Sequence, residues 1–150
     1  MKYGSMLFLL AAVCGFAPQL SAQSLSFLTE QQKIASYCAG VSESRLRELG
    51  DFVKNQCVGS SRKECVTASD NLVKQQILDR RLWDYLKSDV YAYKSSGERQ
   101  KMLSQEAMGK GSEDWLACKR KLPGQAPEDV PACREVQGCQ SPQRLTFLPP

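Results

Sequence analysis

Apolar residues recur at three- and four-residue steps through most of the chain, a spacing that places them on one face of an α-helix. The first helical segment opens at Thr29, which with Gln32 matches a capping box, in which each side chain bonds a free backbone N–H of the first turn. The helical period continues to Cys57, although Gly40 and the stretch 42–44 weaken it. We predict either one bent helix or two helices here. The apolar positions are Ile34, Tyr37, Cys38, Val41, Leu46, Leu49, Phe52, Val53 and Cys57.

The strongest helical pattern covers residues 67–94, where neither glycine nor proline interrupts the chain. Ser69, Asp70 and Asn71 are candidate N-caps. We predict one long helix with a broad apolar stripe that packs into the core. The stripe consists of Leu72, Val73, Ile77, Leu78, Leu82, Trp83, Leu86, Val90 and Tyr93.

Two further helical segments follow the turn at 95–97. The first covers 98–108, with Met102, Leu103 and Ala107 facing inward, and we expect Gly109-Lys110-Gly111 to end it. The second begins at Ser112 and ends before Pro123-Gly124. The tail is irregular and proline-containing apart from a short helical turn that starts at Pro131. The predicted fold class is all-α, a small disulfide-stabilised helical bundle of four to five helices with an irregular Pro-containing C-terminal tail.

An apolar run at residues 7–16 follows Lys2 near the start of the chain, and small residues follow the run. This layout is typical of a signal peptide, and a run of ten residues is too short to span a bilayer. We predict cleavage after Ala22, so that Gln23 begins the mature protein and Cys14 is removed. The predicted organisation is a cleaved signal peptide at 1–22, a helical domain at 23–124, and a Cys- and Pro-containing C-terminal extension at 125–150 packed on the same domain.

Six cysteines remain after this cleavage, and an even set in a short exported chain is typical of a disulfide framework. They are Cys38, Cys57, Cys65, Cys118, Cys133 and Cys139. On one continuous helix, residues eight apart are separated by about 12 Å along the axis, whereas a disulfide spans roughly 7 Å between Cα atoms. Cys57 and Cys65 can therefore pair only if 59–61 reverses the chain. Sequence alone leaves fifteen pairings open. The set we prefer is Cys57–Cys65, Cys38–Cys118 and Cys133–Cys139.

The chain contains no histidine, which excludes Ser–His and Cys–His catalysis and zinc–histidine sites. It also lacks C-x-x-C spacing and a glycine-rich phosphate loop. The carboxylate pairs Glu113–Asp114 and Glu128–Asp129 do not converge, because neighbours on a helix point about 100° apart. We therefore expect no enzyme activity, no catalytic residue, no cofactor and no metal site.

Net charge and hydropathy argue against nucleic acid and the membrane interior as partners. Removing the leader removes Lys2 and no acid, so the formal charge falls from +4 to +3. The basic residues are interspersed with acidic ones, unlike the positive stripe that binds nucleic-acid phosphates, so we expect no nucleic-acid partner. No later stretch approaches the roughly twenty apolar residues of a transmembrane helix, and we expect no stable membrane insertion.

The possible partner surface combines a basic cluster and two tyrosines. Lys119, Arg120 and Lys121 could dock an acidic partner or an anionic headgroup, and the alternative is that they complement the dipole at a helix end. Tyr85 and Tyr91 lie off the apolar stripe, and exposed tyrosines are favoured at interfaces.

Two functions remain open. The first is a periplasmic or secreted protein-binding module, of inhibitor or immunity type, that acts by steric occlusion. The alternative is a carrier of a small hydrophobic ligand held between helices. The cysteine count resembles insect odorant-binding proteins in outline, although the spacing differs. Tyr37-Cys38-Ala39-Gly40, Tyr85-Leu86 and Cys118 are similar to positions of small periplasmic immunity proteins. We identify the chain with neither family.

The leader and the cysteines make a joint prediction. We expect the protein recovered from its native source to begin at Gln23 and to carry six oxidised cysteines, because an oxidising compartment lies beyond the export step. N-terminal sequencing and intact mass before and after reduction measure both. An intact leader or six free thiols would contradict the prediction.

Overall fold

The computed structural model describes residues 28–90 and 97–150. Within these ranges the chain forms four α-helices and no strand, which confirms the all-α, disulfide-stabilised bundle. The helices are α1 (Glu30–Gln56), α2 (Lys63–Val90), α3 (Gly97–Lys119) and α4 (Pro131–Gly138), and a 3₁₀ turn at Pro127–Asp129 precedes α4. The proposed leader and Tyr91 lie outside the described residues.

Helix α1 is one continuous element and lies at the centre of the bundle. It packs along both α2 and α3, whereas α2 and α3 barely touch each other. The predicted capping box is confirmed: Gln32 N donates to Thr29 Oγ1 at 3.1 Å, and Thr29 N donates to Gln32 Oε1 at 3.0 Å. The core gathers side chains from α1, α2, α4 and the tail: Ala35, Cys38, Ala39, Val41, Leu82, Leu86, Val136, Cys139, Leu145 and Leu148.

The backbones of α1 and α3 touch where the two helices cross. A methyl group on Gly40 would lie 1.8 Å from the carbonyl oxygen of Met108, and one on Gly111 would lie 2.1 Å from that of Tyr37. Such distances leave room for hydrogen alone. The expectation that Gly109-Lys110-Gly111 ends a helix is therefore wrong: α3 runs unbroken from Gly97 to Lys119, and Gly111 is the residue that lets it approach α1.

Two serines bond across the same crossing. The Ser112 hydroxyl donates to the carbonyl oxygen of Gly40 at 3.0 Å, and the Ser44 hydroxyl donates to Ser112 Oγ at 3.0 Å. Ser112 thus lies within α3 and does not cap its own helix. These bonds satisfy polar groups where no larger side chain fits.

Helix α2 begins earlier than predicted, at Lys63, so the candidate caps at 69–71 lie within it. The prediction that the whole apolar stripe of α2 packs into the core is wrong for Val73 and Ile77, which are 54% and 57% exposed. Among the described residues α3 barely touches α2, so it does not cover Val73 and Ile77. Leu82 and Leu86, which face α1, are buried as predicted, and Tyr93 lies outside the described residues. On α3 the prediction for Met102 is likewise wrong, since this residue is 70% exposed.

Ser42 of α1 joins Gln75 and Asp79 of α2 through a network of side-chain hydrogen bonds. The Ser42 hydroxyl donates to Asp79 Oδ1 at 2.8 Å and accepts from Gln75 Nε2 at 2.9 Å. Ser42 and Gln75 are buried, and each has its hydrogen bond. Burial raises the pKa of the Asp79 carboxyl, and the bond from Ser42 opposes that shift.

The disulfides pair Cys38 with Cys139, Cys57 with Cys65, and Cys118 with Cys133. The predicted Cys57–Cys65 bond is confirmed, and the turn before it contains Gly59 at φ +69°. The other two preferred bonds are wrong.

Helix geometry explains both errors. Cys38 follows Tyr37, which contacts Gly111, and Cys118 lies seven residues past Gly111, about 10 Å farther along α3. Cys133 and Cys139 are six residues apart along α4, about 9 Å. Both separations exceed the roughly 7 Å that a disulfide spans.

The C-terminal tail returns to the bundle and packs on it. As predicted, Pro131 occupies the first turn of α4. Beyond α4, Leu145 and Leu148 are buried in the core, and the Arg81 guanidinium of α2 donates through Nε to the carbonyl oxygen of Pro149 at 2.6 Å. None of the helices in the described part combines the length and apolarity that a membrane span requires.

The two glycines of the 109–111 segment make a matched test. We expect Gly111→Ala to lower the free energy of unfolding by about 2–3 kcal/mol, because the added methyl forces α3 away from α1. The methyl group of Gly109→Ala would have no atom within 4 Å. This substitution should raise the free energy of unfolding by about 0.5–1 kcal/mol, because alanine has the higher helix propensity. Urea denaturation of the oxidised protein, followed by circular dichroism, measures both. Equal effects of the two substitutions would contradict the close crossing.

Candidate functional site

Two concave surfaces flank the crossing of α1 and α3. The smaller, which we call the tryptophan site, has a volume of about 290 Å³ and is lined by Arg45, Glu48, Leu49, Phe52, Trp115 and Lys119. The larger, which we call the tyrosine cleft, has a volume of about 770 Å³. It lies between the first turns of α1, the middle of α3 and the C-terminal segment.

Helical spacing assembles the tryptophan site. Glu48, Leu49 and Phe52 lie three, four and seven positions after Arg45, so these four residues share one face of α1. Trp115 and Lys119 are one turn apart on α3. The carboxylate of Glu48 joins the two helices: Oε2 accepts from Trp115 Nε1 at 3.2 Å, and Oε1 pairs with Lys119 Nζ.

Two cations lie against the indole ring of Trp115. The guanidinium carbon of Arg45 is 5.8 Å from the ring centroid, and Lys119 Nζ is 5.6 Å from it. Both distances are within the range of cation–π attraction. Burial lowers the pKa of Arg45, and the charge of Glu48 opposes that shift. An arginine side chain stays protonated in proteins even where burial lowers its pKa, so Arg45 is a permanent half-buried cation.

Exposed apolar and basic residues also follow Trp115 along the chain. Leu116 is 47% exposed and Leu122 is 71% exposed. Arg120 and Lys121 are exposed too, and neither forms an ion pair with any residue that the structure describes. Lys121 Nζ donates to the carbonyl oxygen of Gln125 at 2.8 Å.

The predicted partner surface is divided by the structure. Lys119, Arg120 and Lys121 lie at the end of α3, where Lys119 contacts Glu48. Tyr85 is half-buried and packs against Phe147, with ring centroids 4.9 Å apart and the ring planes tilted by 57°. Its hydroxyl donates to Gln31 Oε1 at 3.4 Å. Gln31 and Glu48 are seventeen residues apart on α1, roughly 25 Å along its axis. The structure therefore does not bring Tyr85 together with the basic cluster, and Tyr91 lies outside the described residues.

Sequence reasoning missed Arg45, Glu48 and Trp115. The helical spacing from Arg45 to Phe52 was visible in the sequence, but an acid and an arginine on one helix face are ordinary surface residues. Nothing local shows that Trp115, sixty-seven residues after Glu48, would lie against them.

Beside the tyrosine cleft, two of its lining residues, Tyr37 and Lys110, contact the buried acid Asp114. The Tyr37 hydroxyl donates to Asp114 Oδ2 at 2.8 Å, and Lys110 pairs with Asp114 Oδ1. Asp114 is only 7% exposed. Its Oδ2 joins α3 to α1 through Tyr37, whereas its Oδ1 is paired within α3 by Lys110. The cleft is otherwise bordered by charged side chains and a few apolar ones: Glu30, Lys33, Ile34, Glu106, Ala107, Glu113, Glu135 and Arg144.

Neither surface assembles a metal site. Among the residues the structure describes, no group of three or more Asp, Glu or Cys side chains is placed to hold a metal ion. Comparison with protein-family models, curated proteins and solved structures found no match to this chain.

The Tyr37–Asp114 bond gives a pH prediction. Burial, together with the bond and charge of Asp114, raises the pKa of the Tyr37 phenol above its ordinary value of 10.0. Because the folded pKa exceeds the unfolded one, stability from this proton is complete below pH 10 and is lost as pH rises above it.

We therefore compare the wild type with Tyr37→Phe. Near pH 8 the variant should be about 1–2 kcal/mol less stable, since Asp114 loses a donor. Above pH 10 the difference should shrink, because only the wild type loses the Tyr37 proton on unfolding. Denaturant unfolding at pH 8 and pH 11 measures this, and a difference that is constant or grows with pH would contradict it.

Proposed function

We propose that this chain is an exported protein without enzymatic activity that binds another protein through the tryptophan site and occludes its partner's surface. An inhibitor or an immunity-type protein acts in this way. The proposal builds on the leader pattern at residues 1–22 and on the pairing of six cysteines, since disulfides persist in the oxidising compartments beyond the inner membrane or outside the cell.

One observation carries the proposal: Trp115 is held in a single orientation beside exposed Leu116. Its N–H bonds Glu48 and its ring contacts Arg45 and Lys119. Tryptophan and arginine are the residues that most often dominate binding energy at protein interfaces. A side chain already fixed in the free protein loses little entropy on binding.

The disulfides support the same interpretation because one of them is adjacent to this surface. Cys118, which immediately precedes Lys119, is bonded to Cys133 of α4. The end of α3 is thereby tied to the C-terminal segment. A face held in this way keeps its shape against a partner, which steric occlusion requires.

The carrier alternative has less support. A ligand held between α1 and α3 would need space where the two backbones touch at Gly40 and Gly111. The tyrosine cleft and the tryptophan site are both partly open to solvent. We therefore favour recognition of a protein over transport of an apolar molecule.

Site-specific photocrosslinking tests the proposal. A photoreactive phenylalanine analogue placed at Leu116 should give one discrete adduct with a second protein in the exported fraction of the native host. The same analogue at Ile77, which is similarly exposed but lies on α2, should not give that adduct. Mass spectrometry of the adduct then identifies the partner.

Two further variants decide the role of the tryptophan itself. Trp115→Ala should weaken capture of the crosslinked partner at least tenfold, because interface tryptophans commonly contribute more than 1 kcal/mol. Trp83→Phe, a change at the other tryptophan of the chain, should leave capture intact. Failure to obtain an adduct from Leu116, or equal adducts from Leu116 and Ile77, would overturn the proposal.

A further inference from the structure

We infer that the partner presents an acidic segment, whose carboxylates contact the basic end of α3 while an apolar side chain of the same segment contacts Leu116 and Leu122. The inference rests on the proposed function and specifies the chemistry of the partner. The basic end of α3 consists of Lys119, Arg120 and Lys121, and Arg45 of α1 adds a fourth cation beside Trp115.

The structure itself shows which group the tryptophan site accepts. Glu48 places one carboxylate oxygen on Trp115 Nε1–H and the other on Lys119 Nζ. The donors are therefore spaced to hold a carboxylate. Charge-assisted bonds of this kind are shorter and stronger than neutral ones, and they orient the acceptor.

The charge at this surface is not balanced by Glu48. Arg45 and Lys119 lie near this carboxylate, and Arg120 and Lys121 add two exposed positive charges just past it at the end of α3, so the four cations and the one carboxylate sum to +3. Glu128 and Asp129 follow in the 3₁₀ turn, yet they form no ion pair with Arg120 or Lys121 in the described part of the chain. Additional carboxylates from a partner would neutralise the excess and would be attracted from a distance.

Two exposed leucines argue that the partner segment is also partly apolar. Arg120 directly follows the last residue of α3, and its backbone N–H donates to the carbonyl oxygen of Leu116 at 3.1 Å, so an exposed basic residue lies one turn after an exposed apolar one. Leu122 lies beyond the helix end and is 71% exposed. A segment that alternates acidic and apolar side chains satisfies both features.

An anionic membrane is the other surface that attracts basic and apolar residues together. The geometry favours a protein. Trp115 is bonded through its N–H and is in contact with two cations, so it is not free to insert among lipids. Leu116 and Leu122 are the exposed large apolar side chains that the structure describes near Trp115, and two such residues are few for entry into a bilayer. The concave site of about 290 Å³ fits an individual side chain.

The test selects peptides from a displayed library of random twelve-residue sequences on the oxidised mature protein. We expect the recovered peptides to contain two or more Asp or Glu residues beside an apolar residue. Synthetic copies carrying a fluorophore are then titrated by anisotropy at 50 and 300 mM NaCl. Affinity should fall at least tenfold at the higher salt, because screening weakens exposed charge pairs.

Three variants locate the binding. Lys119→Glu with Arg120→Glu should weaken the selected peptides at least twentyfold. Lys74→Glu with Lys101→Glu changes the net charge equally at exposed lysines elsewhere, and should change affinity less than threefold. Glu48→Gln keeps an acceptor for the Trp115 N–H but removes the competing charge, and should tighten binding threefold or more. A purely structural role for Glu48 predicts weakening instead.

The outcomes separate this inference from the proposed function. Recovery of neutral or basic peptides, recovery of none, or equal loss in both double variants would overturn the acidic partner. Tighter binding to vesicles of phosphatidylglycerol and phosphatidylcholine than to any peptide would assign the surface to lipid and overturn it as well. If crosslinking from Leu116 yields a protein whose binding is insensitive to salt and to Lys119→Glu, the inference fails and the proposed function stands.

Discussion

The contact between the backbones of α1 and α3 determines where the other parts of the molecule lie. With Gly40 against Met108 and Gly111 against Tyr37, the helices approach more closely than any Cβ atom allows. One turn past Gly40, Ser44 bonds Ser112; a further turn on, Glu48 bonds Trp115 and Lys119. Successive turns of α1 after Gly40 therefore contact successive turns of α3 after Ser112. The tryptophan site therefore depends on the crossing, because a shift of α3 by one turn would move Trp115 about 5.4 Å from Glu48.

The disulfides hold in place the parts of the chain that this crossing does not reach. Helix α4 has eight residues, and a helix so short is not stable on its own. Cys139, at its end, is bonded to Cys38 in the core, and Cys133 is bonded to Cys118 at the end of α3. In the chain-entropy model, the first bond closes a loop of about one hundred residues and contributes about 4–5 kcal/mol, and the second contributes about 3 kcal/mol. Together they attach the tail to the two helices that carry the tryptophan site.

Sequence reasoning succeeded where the determining interactions are local and failed where they come from distant residues. The capping box at Thr29, the proline at the start of α4 and the Cys57–Cys65 bond each depend on residues within about eight positions. Gly111 was mistaken for a helix end because its partner, the carbonyl of Tyr37, is seventy-four residues away. Val73 and Ile77 were assigned to the core because a pattern shows how wide an apolar stripe is, but not how many neighbours cover it. The basic cluster was visible in the sequence, whereas its relation to Trp115 required the crossing.

The place of Glu48 explains how a surface can be ordered and still available to a partner. Its pair with Lys119 joins two side chains that are 44% and 50% exposed. Exposed pairs of this kind contribute about 0–1 kcal/mol. Lys119 can therefore turn to a partner carboxylate at little cost, while the Trp115 N–H keeps its acceptor and the indole keeps its orientation. The tightly packed crossing fixes the tryptophan, and the weakly paired cations at the rim remain free to exchange their partners. This division, with packing providing shape and exposed charge providing attraction, is what a protein that acts by occlusion needs, since it must arrive quickly and not deform on contact.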